Sequence, residues 1–329
     1  MTTWIVTPVY RDTGSFRILR ERLLETLAAD PNAAPGTVRF VVIDDTGGQD
    51  REVEGLRDLD DVIVLQPPFN LGHQRGIVYA LRKMLPRFAD DDAVVTMDAD
   101  GEDRPEDLPR LLAALREGKE AGHQVVLALR TKRHEPPLFK VLYRGFKVLF
   151  RALTGATVRT GNYAVMSGGM ARRALLHPTF DLAYSSAILA LDIPVAFVPC
   201  ERGRRYQGES KMTYGKLAMH GLRMLMPFTD RIAIRALAAF VFFGLAGALL
   251  AAVVVFIKLF TDASIPGWTS YVALSALIVS LVALGNFVSL FVLFSQTRAV
   301  SLASIEELTD DEELLESHSG SAPDSVPPG

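Results

Sequence analysis

Asp98 and Asp100 stand one residue apart, directly after an apolar run at 93–97, and head an acidic stretch that reaches Glu106. The run reads as a buried strand, so both carboxylates fall at its carboxyl end. A hard divalent cation is held by one or two carboxylates, with water and substrate phosphates completing its shell, which makes the pair a candidate site for Mg2+ or Mn2+. A solvated acidic turn before a helix would use the same residue types, because Asp and Pro-Glu-Asp are ordinary helix-start residues. Three other strand ends carry polar groups. Pro8 and Tyr10 follow 4–7, a rigid turn with a ring able to lie on a base or simply to pack. Asp44 and Asp45 follow 38–43, as acceptors for a base or ribose or as caps. Asn70, Gly72, His73 and Gln74 follow 62–65, on a glycine turn whose helix would offer free amides to an anion.

The elements that must position these groups alternate. Apolar runs at 4–7, 38–43, 62–65, 93–97 and 125–129 are separated by helical patterns at 16–29, 74–85 and 108–117. Such alternation predicts a Rossmann-like α/β domain, a mostly parallel sheet with crossover helices, whose ligands collect beyond the carboxyl ends of the strands. No glycine-rich phosphate loop follows the first strand, which counts against a dehydrogenase or kinase. The phosphates of a bound nucleotide would fall to a metal and to basic side chains. Those are present downstream: Arg130, Lys132 and Arg133, then Arg204, Arg205, Ser210 and Lys211 around Gly208, a loop suited to closing over phosphates and equally to solvation. Residues 138–153 carry Lys140, Arg144, Lys147 and Arg151 on one helical face and Phe139, Leu142, Phe146 and Phe150 on the other. This pattern fits an amphipathic helix in a membrane interface, or a core helix with a solvated basic face. Residues 215–226 offer a second interfacial candidate.

Residues 236–257 and 265–297 contain no charge over 22 and 33 positions. A bilayer core needs roughly 20 apolar helical residues, so two transmembrane helices are expected, with Trp268 and Tyr271 as interfacial anchors. The first residues are strand-like and do not resemble a secretory leader. Arg223, Arg231, Arg235 and Arg298 flank the runs, which by the positive-inside rule places the catalytic domain and both termini in the cytoplasm. The expectation is a multi-pass protein of the inner or cell membrane. The single cysteine, Cys200, excludes an internal disulfide and fits a reducing compartment. Residues 300–329 carry eight acids and no Lys or Arg, leaving 35 basic against 30 acidic residues elsewhere. The tail reads as disordered, and the basic body would be drawn to anionic membrane lipid. Nothing argues for nucleic acid.

Together these residues resemble the membrane-anchored family 2 glycosyltransferases of the polyprenyl-phosphate type, relatives of dolichol-phosphate mannose synthase. Asp98-Ala99-Asp100 resembles the family's metal-binding Asp-x-Asp, followed by Pro105 and Glu106. Asn70-Leu71-Gly72-His73-Gln74 is similar to its Asn-Phe-Gly-His-Gln, and Asp44-Asp45 to its nucleotide-side pair. Arg130 and Arg133 are similar to the Arg-x-x-Arg ahead of its interfacial helix. Arg205, Gly208, Ser210 and Lys211 resemble its Arg-x-x-Gly-x-Ser-Lys loop. Two departures stand out: Asn162 in Thr160-Gly161-Asn162-Tyr163 occupies the place of an aspartate in members that glucosylate the lipid, and 177–185 lacks a Pro-Glu-Arg pattern.

The resemblance implies a GT-A catalytic domain at 1–214, a juxtamembrane helix at 215–235, two spans within 236–298 and an acidic tail at 299–329. It implies transfer of a sugar, with inversion, from a nucleoside-diphosphate sugar to a polyprenyl phosphate. Asp98 and Asp100 would hold the metal; Asn162, Arg205 and Lys211 would act at the reaction; Pro8, Tyr10, Asp44, Asp45, Asn70, Gly72, His73, Gln74, Arg130, Arg133 and Ser210 would bind the donor. A UDP-glucose-like donor is favoured, GDP-mannose second, and a homo-oligomer is compatible with the sequence. Two other readings are open: a membrane glycosyltransferase with a different lipid or glycan acceptor, and a catalytically silent nucleotide-sugar-binding protein. The absence of a Gln-x-x-Arg-Trp segment argues against a processive synthase.

Overall fold

A computed structural model of the chain describes residues 1–30, 36–120, 122–130, 137–157, 160–207, 214–260 and 267–296. These form two compact units. Met1–Tyr143 and Val158–Pro227 make the first, Arg144–Thr157 and Phe228–Arg298 the second.

The first unit alternates as the apolar runs predict. β1 (Thr2–Val9), α1 (Thr13–Ala29), β2 (Thr37–Asp44), β3 (Val62–Leu65), α2 (His73–Met84), β4 (Ala93–Thr96), α3 (Leu108–Glu120) and β5 (Val125–Arg130) follow one another in order. After α4 (Pro137–Thr154) come β6 (Thr160–Ser167), α5 (Gly168–Ala174), α6 (Tyr184–Ala190), β7 (Val195–Cys200) and α7 (Tyr214–Leu225). The seven described strands form one sheet in the order β3-β2-β1-β4-β6-β5-β7. All pairings are parallel except those of β6, which runs antiparallel to β4 and β5. The expected GT-A-like, mostly parallel α/β fold is therefore present, with one reversed strand that the sequence reading did not anticipate. Two further strands went unread for local reasons. Gly161 interrupts the strand pattern of β6, and Pro199 marks β7, which lies at the sheet edge where a missing N–H is tolerated.

Both faces of the sheet are covered. Phe16, Leu19, Leu23 and Leu27 recur at helical spacing along α1 and pack with α3 on one face; Ile77, Val78, Leu81 and Met84 of α2 pack with α5 and α6 on the other. Burial on both faces explains why β1 and β4 read as continuous apolar runs rather than alternating ones. The chain leaves β1 toward β2 on one side and reaches β4 on the other. A crevice therefore opens beyond the carboxyl ends of β1 and β4, where open α/β sheets take their ligands.

The second unit contains the rest of α4 with α8 (Thr229–Phe260) and α9 (Trp268–Gln296). Phe150 of α4 is 1 % exposed and meets Phe228 edge-on at 5.4 Å, while Val148 and Leu149 are exposed. α8 and α9 pack closely; a Cβ at Gly247 would fall 2.0 Å from the Leu277 side chain. Among the described residues, however, no helix is long and apolar enough to cross a membrane. This corrects the expectation of two spans, and with it the multi-pass membrane location and the cytoplasmic placement of both termini. The charges of α8, Asp230, Arg231, Arg235 and Lys258, flank the charge-free run at 236–257, and α9 interleaves Ser270, Ser275, Ser280, Asn286 and Ser289. The acidic tail at 299–329 lies outside the described residues.

Candidate active site

The crevice is furnished from four strand ends, and the strongest constellation centres on Asp98. Its Oδ1 lies 2.8 Å from His73 Nε2 and accepts from Asn162 Nδ2 at 3.2 Å. Asn162 is in turn fixed by Gln74, whose Nε2 donates to the Asn162 Oδ1. The other end of the Gln74 amide, Oε1, accepts from the Ser185 N–H at 3.0 Å and hydroxyl at 3.3 Å. The Asn162 carbonyl accepts from the Thr96 hydroxyl at 2.6 Å. Residues from α2, β4, β6 and α6 thus converge on one carboxylate. Burial opposes its ionisation, but the charge and hydrogen bond of His73, then Arg130 and Asn162, hold Asp98 well below the usual carboxylate range. Burial likewise works against a charged His73, yet Asp98, with Asp103 and Asp100 behind it, outweighs that and raises the imidazole. His73 opens α2 behind Gly72, whose φ of +78° suits a glycine at the turn.

Asp100 sits in a different setting. Its Oδ2 is 2.9 Å from Arg205 Nη2, and its Oδ1 accepts from the Glu102 N–H at 3.0 Å. Arg205 Nε also donates to Glu102 Oε1 at 3.0 Å, and Arg202 pairs with the same carboxylate. Backbone bonds from Tyr206 N to Asp100 O and from Gly203 N to Glu102 O, both 2.8 Å, lay the loop after β7 along the acidic loop. Gly101 permits this approach: its φ is +89°, and a Cβ there would lie 2.8 Å from the Tyr206 ring. Burial first, then the charges of Asp98 and Glu102, raises the Asp100 carboxyl against the pull of Arg205. A cavity of about 420 Å³ borders the acidic loop on its α1 side, lined by Arg22, Gly101, Pro105, Arg204 and Tyr206.

The residues present suit a divalent cation. Asp98, Asp100 and Glu102 concentrate negative charge that His73, Arg202 and Arg205 partly offset. Among the described residues no group of three or more His, Cys, Asp or Glu is arranged to hold a metal by itself. A hard cation bound through one or two carboxylates and substrate phosphates does not need one.

The other expected donor-site residues divide. Asp44 is 2 % exposed and accepts from the Thr46 N–H and hydroxyl and the Gly48 N–H; Asp45, 4 % exposed, accepts from the N–H groups of Leu71 and Gly72 at 2.8 and 3.2 Å. Burial raises the Asp45 carboxyl while those two amides pull it down. Asn70 Nδ2 donates to the Asp45 carbonyl at 2.6 Å. These residues hold two turns together. Pro8 is buried at the end of β1, whereas Tyr10 is 47 % exposed beneath the Arg11 guanidinium, 5.8 Å from its ring centroid. Arg130 is drawn inward, 3.0 Å from Asp103. Arg133, Ser210 and Lys211 lie outside the described residues. Sequence reading missed Asp103, Ser185 and His220. Burial lowers the imidazole of His220 on α7, and the charges of His73 and Arg223 push the same way. Ser185 and His220 have no local signal, since only the tertiary fold brings them near His73 and Gln74.

A GT-A-like α/β domain with paired carboxylates at the β1–β4 crevice is the class that this fold and site define. The chain belongs to glycosyl transferase family 2, whose model matches residues 4–175. It is 28 % identical to an uncharacterised glycosyltransferase of Bacillus subtilis, YkcC, over 85 % of this chain and 84 % of that protein. It is 29 % identical to the undecaprenyl-phosphate 4-deoxy-4-formamido-L-arabinose transferase of Edwardsiella ictaluri, over 65 % and 63 % respectively. It is 25 % identical to the dolichol-phosphate mannosyltransferase of Mycosarcoma maydis, over 68 % and 77 %. Among solved structures, glucosyl-3-phosphoglycerate synthase from Mycobacterium tuberculosis, with Mn2+ and UDP, matches 70 % of this chain and 80 % of its own at 18 % identity and a TM-score of 0.43, a likeness too distant to inform the site.

Proposed function

We propose that the chain transfers a sugar from a nucleoside-diphosphate sugar to a polyprenyl phosphate, with inversion. The observation that carries this reading is the Asp98 constellation at the β1–β4 crevice, with Asp100 beside it facing a cationic loop; the names of the relatives support the class of acceptor. The acceptor phosphate oxygen would bond to the anomeric carbon as the bond from that carbon to the departing diphosphate breaks, the electron pair leaving with the diphosphate. A phosphate monoester has a second pKa of about 6, so its nucleophilic oxygen is already ionised near neutral pH. No side chain is required to take a proton. Asn162 fits that demand, because both ends of its amide are in use, one on Asp98 and one on Gln74. It orients a carboxylate where a base would have to remain free.

The difficulty of the reaction is electrostatic: an anionic acceptor must approach an anionic donor while charge grows on the leaving group. Asp98 and Asp100 would hold Mg2+ or Mn2+, which supplies Lewis-acid stabilisation of that charge when bound. Arg205 contributes fixed positive charge beside Asp100, and His73, whose imidazole is raised by Asp98, can carry a second beside Asp98. Arg133, Ser210 and Lys211 are assigned to the phosphates on sequence grounds, and Tyr10 to the base. A UDP-glucose-like donor is favoured over GDP-mannose. The test is a panel of radiolabelled donors with purified polyprenyl phosphate and Mn2+ in detergent. Label should move to the lipid from one donor at least tenfold faster than from the rest. Hydrolysis of every donor with no lipid product would reject the acceptor.

A further inference from the structure

Asp103 stands five residues beyond Asp98 and is 3 % exposed. Its two oxygens do different things. Oδ2 accepts the backbone N–H of Asp98 at 3.0 Å, and Oδ1 accepts from Arg130 Nη2 at 3.0 Å. The Arg130 side chain is itself only 16 % exposed, and its guanidinium passes so close to β6 that a Cβ at Gly161 would lie 2.8 Å from Nη2. Two residues further, the Tyr163 hydroxyl donates to the Arg104 carbonyl at 3.2 Å. The acidic loop is therefore pinned from beneath by groups on β5 and β6, at the backbone of Asp98 and again beside Asp103.

A buried carboxylate beside Asp98 and Asp100 adds a third negative charge to a crowded place. Burial and the charge of Asp98 push the Asp103 carboxyl up, while Arg130 is held firmly protonated. The two partners lean in opposite directions. The contact with a guanidinium, which keeps its proton in proteins, favours the ion pair. Without Arg130 the carboxylate would be left buried and uncompensated.

We infer that Arg130 and Asp103 form a positioning pair for the metal-binding loop: Arg130 acts through Asp103, which sets the backbone of Asp98, and does not itself touch substrate. The inference rests on the metal reading of Asp98 and Asp100 given above, and it reassigns Arg130 from the phosphates to the loop. Gly161 then has a structural reason, since a side chain there would displace the guanidinium.

Three variants of the full chain test it: Asp103→Asn, Arg130→Gln and the double variant. Mn2+ affinity is read by electron paramagnetic resonance without donor, alongside KM and kcat for the donor. Losses of outer residues that orient metal ligands run from about tenfold to 100-fold in affinity. Each single variant should weaken Mn2+ binding about tenfold, the double variant no more than either single, with the loss in turnover concentrated in kcat. Parent-like Mn2+ affinity in Arg130→Gln together with a raised donor KM would overturn the pair, as would a double loss equal to the product of the single losses. Should Asp103→Asn fail to fold, the double variant, which leaves no buried charge unpaired, decides alone: tenfold weaker Mn2+ binding supports the pair and parent-like binding overturns it. Asp100→Ala separates the layers. If it retains parent Mn2+ affinity, the metal assignment falls and this inference falls with it, whereas loss of Mn2+ in Asp100→Ala with parent-like binding in the pair variants rejects the pair alone.

Discussion

Two pairs of aspartates stand at two strand ends of the same sheet, and they are used in opposite ways. Asp44 and Asp45, after β2, accept hydrogen bonds chiefly from backbone N–H groups of their own and the neighbouring turn. Asp98 and Asp100, after β4, are held by side chains that carry or can carry charge, His73 and Arg205. A carboxylate oxygen that accepts backbone amides fixes a loop, as both oxygens of Asp44 and Oδ1 of Asp45 do. One held by side-chain cations has partners that can be exchanged for a metal or a substrate. The kind of partner, more than the presence of two acids at a strand end, is what distinguishes the pair proposed to hold the metal from the other pair.

This contrast can be broken by substitution. Asp98→Ala should reduce sugar transfer at least about 100-fold in any enzyme that still folds, by loss of charge stabilisation at the leaving group; near-parent turnover would erase the difference between the pairs. Asp45→Ala should do the reverse. Leaving the buried amides of Leu71 and Gly72 without an acceptor costs about 2 kcal/mol, measurable by urea denaturation, while any folded enzyme keeps kcat within a few-fold of the parent. Gln74→Met should lower kcat about tenfold by releasing Asn162 from its orientation, with a smaller effect on stability. The smallest effect is expected at Cys200, at the end of β7 just before the loop that lies on Asp100. Burial and then the charge of Asp107 push its thiol up to about 12, so about one thiolate in 10,000 is present at pH 8. Alkylation at pH 8 should be slow in the native chain and rapid in urea; fast native reaction would place β7 in a looser state.

Much of this domain was legible because both faces of the sheet are covered, which turns its strands into apolar runs. β3 is found at 62–65 as expected, and the ends of β1, β2, β4 and β5 shift by at most two residues. β6 and β7 were missed where Gly161 and Pro199 blur the strand signal. The strand ends are polar as read, but the partners of each side chain depend on distant pairings, such as Asn162 with Asp98, 64 residues away, and Ser185 with Gln74, 111 residues away, and no local pattern encodes them. Arg130 shows the same limit: a cation after a strand looks the same whether it faces a phosphate or folds back on Asp103. The helices at 229–260 and 268–296 show a related limit: their charge-free runs predict membrane spans, and among the described residues no helix is long and apolar enough to cross a membrane.

The pair after β4, and not the pair after β2, is the one proposed to hold the metal. A Mn2+ titration of the parent chain, Asp100→Asn and Asp44→Asn, followed by electron paramagnetic resonance, tests it directly. Asp100→Asn should weaken Mn2+ binding about 100-fold, and folded Asp44→Asn should bind as the parent does. Equal binding by parent and Asp100→Asn, or a matching loss in Asp44→Asn, would contradict it.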